Sequence, residues 1–105
     1  MATVTRQVLQ GRWMHSHEED TPHEIVFRPA SFRFPPSRGR ASFELKPDGT
    51  LIERAPGPTD RAQETHGQWD LEGGHRLAFR KAPGGDPHRV LEVVSADAER
   101  LVVKR

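Results

Sequence analysis

The sequence contains no cysteine among its 105 residues. That excludes a disulfide framework, a thiolate nucleophile and every zinc site built on cysteine. A long apolar run is missing too: nothing approaches the ~20 residues that span a bilayer, and the opening MATVTRQVLQGRW has neither an apolar h-region nor a small-residue cleavage site. The expectation is a soluble, cytoplasmic chain with no membrane partner. Nor is there an excess of one charge. Lys and Arg number 16 against 15 Asp and Glu, a net +1, and the signs interleave along the chain. A nucleic-acid binder concentrates basic residues on one face, so nucleic acid is not expected as a partner. The Gly-x-Ser-x-Gly elbow, the phosphate-cradling Gly-x-x-x-x-Gly-Lys and the dinucleotide fingerprint are all absent, and no cofactor is expected.

What is present is a period of two. Ala41, Phe43 and Leu45 alternate with Ser42, Glu44 and Lys46. Ile25 and Phe27 alternate with Val26 and Arg28, and Leu9, Gly11 and Trp13 share a face opposite Gln10, Arg12 and Met14. Antiparallel strands with one wet face alternate in this way. Val4, Val8 and Leu9 also fit a short helical turn before Trp13, but the alternating reading is preferred. Lys46-Pro47-Asp48-Gly49 closes a hairpin, with Pro where φ is preset and Gly where φ turns positive. Glu72-Gly73-Gly74 joins a segment ending at Leu71 to a strand over 75–81, and Ala96-Asp97-Ala98-Glu99 joins strands at 90–95 and 101–104.

Seven or eight short strands at this spacing predict an all-β fold: a small antiparallel up-and-down β-barrel forming one domain over 1–105. Closure removes exposed sheet edges. Eight strands leave an interior just wide enough for side chains or one small ligand, so a shallow pocket at one end is expected.

Gly11-Arg12-Trp13 resembles the Gly-x-Trp of the first strand in the lipocalin-like, or calycin, superfamily. The stretch Trp69-Asp70-Leu71-Glu72-Gly73-Gly74-His75-Arg76-Leu77 resembles a hairpin of short bacterial lipocalin-like domains, and Val90–Val94 with Arg100–Val103 resembles their closing pair. The stretch from Trp13 through Arg40 to Arg61 is similar to a group of such bacterial proteins. The resemblance implies a barrel whose closed end is plugged by an indole, with a basic residue from a late strand packed over it. It implies no activity, because that superfamily includes carriers, inhibitors and a few enzymes.

Chemistry concentrates in three places. The first is His15-Ser16-His17-Glu18-Glu19-Asp20-Thr21-Pro22-His23 at the exit of the first strand. If the strand continues, His15 and His17 share the face of Trp13, and two histidines at i, i+2 can reach one metal with Glu19 or His23 completing the set. The other reading is a solvated loop whose acids neutralise nearby arginines. The second is the proline-stiffened loop over 29–39, carrying Phe32 and Phe34 and flanked by Arg28, Arg33, Arg38 and Arg40. Its guanidinium forks suit a ligand's carboxylate or phosphate, and equally the side chains of Glu18, Glu19 and Asp20 in an internal network that locks the loop. The third is Gly57-Pro58-Thr59-Asp60-Arg61, where Asp60 either orients an arginine or caps a turn.

The expected function is therefore binding of a small, partly apolar molecule with an anionic group. Its site is drawn from His15, His17, Glu18, Phe34, Arg38, Arg40, Asp60 and Arg61, with the acid on Arg38 or Arg40 and the body against Phe34 and Met14. No metal is assigned. Two alternatives stand beside it: a barrel enzyme, an isomerase or cyclase using His17 or Glu18 with an arginine, and a metal-binding protein acting through His15 and His17. An interaction module has no sign beyond Val26, Ile52 and Leu91. The chain is expected to be a monomer or a homodimer.

Overall fold

A computed structural model of the chain describes residues 5–36, 40–56, 62–82 and 84–104. Eight antiparallel strands close into a barrel: β1 (Gly11–His15), β2 (Glu24–Pro29), β3 (Ser42–Leu45), β4 (Thr50–Pro56), β5 (Ala62–Glu72), β6 (Arg76–Arg80), β7 (Pro87–Ala96) and β8 (Leu101–Lys104). The all-β barrel expected from the alternation is the fold. Its strand order is β1-β2-β8-β7-β6-β5-β4-β3 around the wall. From β3 to β8 the chain is a simple meander, but β1 lies between β2 and β3, so one connection departs from up-and-down order. Both neighbours run antiparallel to β1, with Met14 opposite Arg28 on one side and Ser42 on the other. Thus β2 and β3 are parallel, and their link must travel back along the length of β1. That is why a proline-stiffened connection of about a dozen residues is needed there, where a two-residue turn suffices for hairpins.

The segment before β1 is a four-residue helical turn, α1 (Arg6–Leu9), and not the start of the strand. The Thr5 hydroxyl accepts from the Val8 amide at 3.3 Å, a local bond that favours the helical turn over extension. Gly11, at φ 128, then turns the chain into β1. Leu9 from α1 is fully buried and plugs the lower end of the barrel. The Trp13 indole donates to the Leu9 carbonyl at 2.9 Å, and the Trp69 indole donates to the Lys46 carbonyl at 2.9 Å, so both rings bury their apolar bodies with the N–H satisfied. Among the described residues, the cation over an indole is Arg6, from α1, with its guanidinium 4.3 Å from the Trp69 ring centre. The resemblance implied a late-strand residue over the first tryptophan.

The interior is filled by inward residues of every strand. Its middle layer is aromatic, with Phe43 4.9 Å from Phe27 and 5.2 Å from Phe79, both edge-on. Below it the barrel is packed; above it, at the end where β1, β4 and β8 finish, it opens. Val26, Ile52 and Leu91 do not form an exterior patch: all three are buried, Leu91 within the core. The exposed apolar side chains of β7 are Val90 and Val94.

Candidate functional site

The open end is a pocket of about 250 Å³. It is lined by His15, Phe27, Phe43, Glu53, Thr65 and Arg89, which are contributed by six different strands. The floor is the aromatic layer. The rim is partly polar because on four of the strands the inward-facing position next above the packed interior is polar: Trp13 gives way to His15, Leu51 to Glu53, Gly67 to Thr65 and Leu91 to Arg89. One Glu53 oxygen lies 2.9 Å from His88 Nε2, while the other is 3.7 Å from Arg89, too far for a hydrogen bond. The Arg89 side chain is 47 % exposed. Its guanidinium offers five N–H donors at the pocket rim.

His15 sits against this pocket with its ring fixed from behind. Asp20 Oδ2 is 2.7 Å from His15 Nε2. Asp20 Oδ1 accepts from the Val26 amide at 2.9 Å, so the carboxylate is held by the backbone of β2 and in turn holds the imidazole. The His15 ring also packs 5.6 Å from Phe27.

His17 lies past the end of the strand, with its ring centre 6.0 Å from that of His15 and edge-on to it. Strand β1 stops at His15, and the chain turns through a 3-10 turn over His17–Glu19. The cause is Ser16, buried at the strand exit. Its carbonyl accepts from the Glu19 amide at 2.9 Å and its hydroxyl donates to Glu19 Oε2 at 2.7 Å, closing the turn. The two imidazoles are thus neighbours through this turn and not through alternation along one strand. Among the described residues no three of His, Asp and Glu come together to hold a metal ion.

The arginines resolve into a network between the acidic turn and the crossing loop. Arg40 donates to both oxygens of Glu18, at 2.8 and 2.5 Å, and also to the carbonyls of His15 at 3.0 Å and Pro35 at 2.8 Å. Arg28 makes the equivalent fork on Glu19, at 2.8 and 2.7 Å, and reaches the Glu99 carbonyl at 3.1 Å. Each guanidinium also covers a ring, Arg40 at 4.6 Å from Phe34 and Arg28 at 4.7 Å from Phe32. Glu18 and Arg40 are thus committed to each other, and Phe34 lies beneath Arg40, outside the pocket lining. Met14, next to inward Trp13 and His15 on β1, faces outward. Of the eight site residues expected, the structure places His15 in the pocket and puts His17, Glu18, Phe34 and Arg40 in the brace beside it. Arg38, Asp60 and Arg61 lie outside the described residues.

The brace has a pH signature. The hydrogen bonds from Arg40 hold the Glu18 carboxyl down from 4.5 to about 2, and those from Arg28 do the same for Glu19. A carboxylate whose pKa is lower in the folded state adds stability above its unfolded value, and that stability is lost as pH falls toward the folded value. The melting temperature should therefore drop between about pH 4.5 and pH 2, and the slope should be shallower in an Arg28→Ala, Arg40→Ala double variant, which starts lower. Melting curves over that window check it. A wild-type slope no steeper than the variant's would remove the brace as a source of stability.

No protein-family model matches this chain, and neither a curated protein nor a solved structure matches it. The fold and pocket define a class by themselves: a small closed barrel, plugged by a helical turn at one end and open at the other onto a polar rim above an aromatic floor. Among the described residues no helix is long and apolar enough to cross a membrane.

Proposed function

We propose that the protein is a small-ligand-binding barrel of the lipocalin-like kind, taking a compact acid with a flat apolar body at the open end. One observation carries the reading: Arg89 stands half exposed at the mouth of a pocket floored by Phe27 and Phe43, and nearby Glu53 is not within hydrogen-bond reach of it. Arg89 ion-pairs with Glu53 at 3.7 Å but makes no hydrogen bond to it, so its N–H donors can fork onto a ligand carboxylate, whereas the forks of Arg28 and Arg40 are filled by Glu19 and Glu18. The anion thus moves from the crossing loop, where the sequence placed it, to the start of β7. The pocket, about 250 Å³, falls just below the range of sites for drug-sized ligands, which fits a single-ring acid. Glu53, beside Arg89, supplies an acceptor for a ligand hydroxyl. The absence of cysteine supports a cytoplasmic setting for this binding.

Calorimetric titration with benzoate and phenylacetate, and with benzamide as the neutral control, tests the reading. The acids should bind and benzamide should not, and Arg89→Gln should weaken the acids by about tenfold or more, roughly 1.4 kcal/mol. Equal affinity of Arg89→Gln and wild type for both acids, or no binding by wild type, would refute it. Arg40→Ala should lower the melting temperature and leave the affinity of the folded protein unchanged.

A further inference from the structure

His15 is more than a wall of this pocket. Its Nε2 faces the Asp20 carboxylate at 2.7 Å, and a carboxylate only accepts, so a neutral ring in this position carries its proton on Nε2. Nδ1 then carries the lone pair, and among the described residues nothing donates to it. Asp20 is itself fixed by the Val26 amide at 2.9 Å. An imidazole held in one tautomer by a backbone-anchored carboxylate, beside a pocket with a cation at its rim, is the arrangement of a positioned general base.

Resting on the acid-binding reading above, we infer that the mouth catalyses proton transfer at carbon in aryl-substituted 2-oxo acids, with His15 as the base. The substrate class follows from the lining. Arg89 takes the carboxylate and the adjacent 2-oxo oxygen in one fork, the ring lies on Phe27 and Phe43, and the acidic C–H bond lies between these two anchors. His15 Nδ1 removes a proton from C3. The C–H electron pair becomes the C2–C3 double bond, and the carbonyl π pair moves onto oxygen, where Arg89 offsets the charge. The imidazolium then returns the proton, either to C3 or to the oxygen to give the enol, whose O–H donates to Glu53. The reaction is a redox-neutral tautomerisation and needs no further reactant. His15 is the catalytic residue, and Asp20 is a positioning residue.

Phenylpyruvate in D2O is the probe, with loss of the C3 proton signal followed by NMR and binding measured in parallel by calorimetry. Wild type should accelerate exchange at least tenfold over buffer alone. His15→Gln should bind phenylpyruvate but exchange it at the buffer rate. Asp20→Asn keeps an acceptor for the Val26 amide but donates to His15 Nε2, forcing the proton onto Nδ1. It should melt close to wild type, show the inverted tautomer in the 15N shifts of the ring, and lose the acceleration. Binding without acceleration, or acceleration that survives His15→Gln, would overturn the catalytic role and leave the binding reading standing. Failure of phenylpyruvate to bind would overturn both. Asp20→Asn with inverted tautomer and full rate would remove Asp20 from the mechanism.

Discussion

Phe43→Ala should destabilise the barrel by about 3–5 kcal/mol, the usual range for truncating a buried aromatic residue. Phe43 is 2 % exposed and is the middle ring of the interior layer, edge-on to Phe27 on one side and Phe79 on the other. Its removal deletes both ring contacts and leaves a cavity that the surrounding strands cannot collapse into, because each is held at both edges in a closed wall. The new space joins the mouth pocket, since Phe43 is part of its floor. The variant should therefore combine a large loss of stability with a reversed ligand preference: single-ring acids bind more weakly, and two-ring acids such as naphthoate bind better than they do to wild type. Chemical denaturation gives the first quantity and calorimetry the second. A variant with lowered stability but unchanged preference between one- and two-ring acids would show that the ligand does not rest on this floor.

How much of this was legible in the sequence depends on the range over which each signal acts. Alternation reports which face a residue takes: it grouped Phe43 with Leu45 and set Phe27 apart from Arg28, and Phe27, Phe43 and Leu45 all face inward. Turn chemistry is equally local. At 46–49 the Asp48 side chain accepts from the Thr50 amide at 2.9 Å and Gly49 takes φ 91, as the Pro-Asp-Gly order requires. The position of β1 between β2 and β3 was not legible, because period two says nothing about which strands are neighbours. The helical turn was missed for the opposite reason. Over so few residues a helical and an extended pattern coincide, and the Thr5 hydroxyl decides between them.

The site divides in the same way. That acids at 18–20 and the arginines flanking the crossing loop meet was readable from composition. That they pair as Glu18 with Arg40 and Glu19 with Arg28 is set by the 3-10 turn at Ser16. Glu53, Thr65, His88 and Arg89 come from distant strands and only barrel closure brings them to one rim. A usable signal did exist. In Leu51-x-Glu53, Thr65-x-Gly67 and Arg89-x-Leu91, a polar residue takes the inward phase at the end of a strand where it should either be apolar or have a reason not to be.

The second glycine–tryptophan signal, Gly67-Gln68-Trp69, has its explanation in the wall and not in a ligand. Strand β5 pairs with β4 from Ala62 to Gln68 but with β6 only from Gln68 onward. Beyond that point the β6 chain passes directly over Gly67: a Cβ built there would lie 2.3 Å from the Arg80 carbonyl oxygen and 3.3 Å from its carbon. Both are backbone atoms, and no rotamer change relieves the contact. Gly67→Ala must therefore pry β6 from β5 next to the Trp69–Phe79 pair, at the upper end of the roughly 1–3 kcal/mol typical of overpacking. The loss should be concentrated there: amide exchange should rise first at Phe79 and Arg80, while the hairpin at 46–49 stays protected. Denaturant melts with residue-resolved hydrogen exchange make the measurement. A variant with wild-type midpoint would mean that the two strands have room for a methyl group between them. Because β5 and β6 carry Thr65 and lead into Arg89, the same substitution should weaken acid binding at the mouth, although Gly67 does not line it.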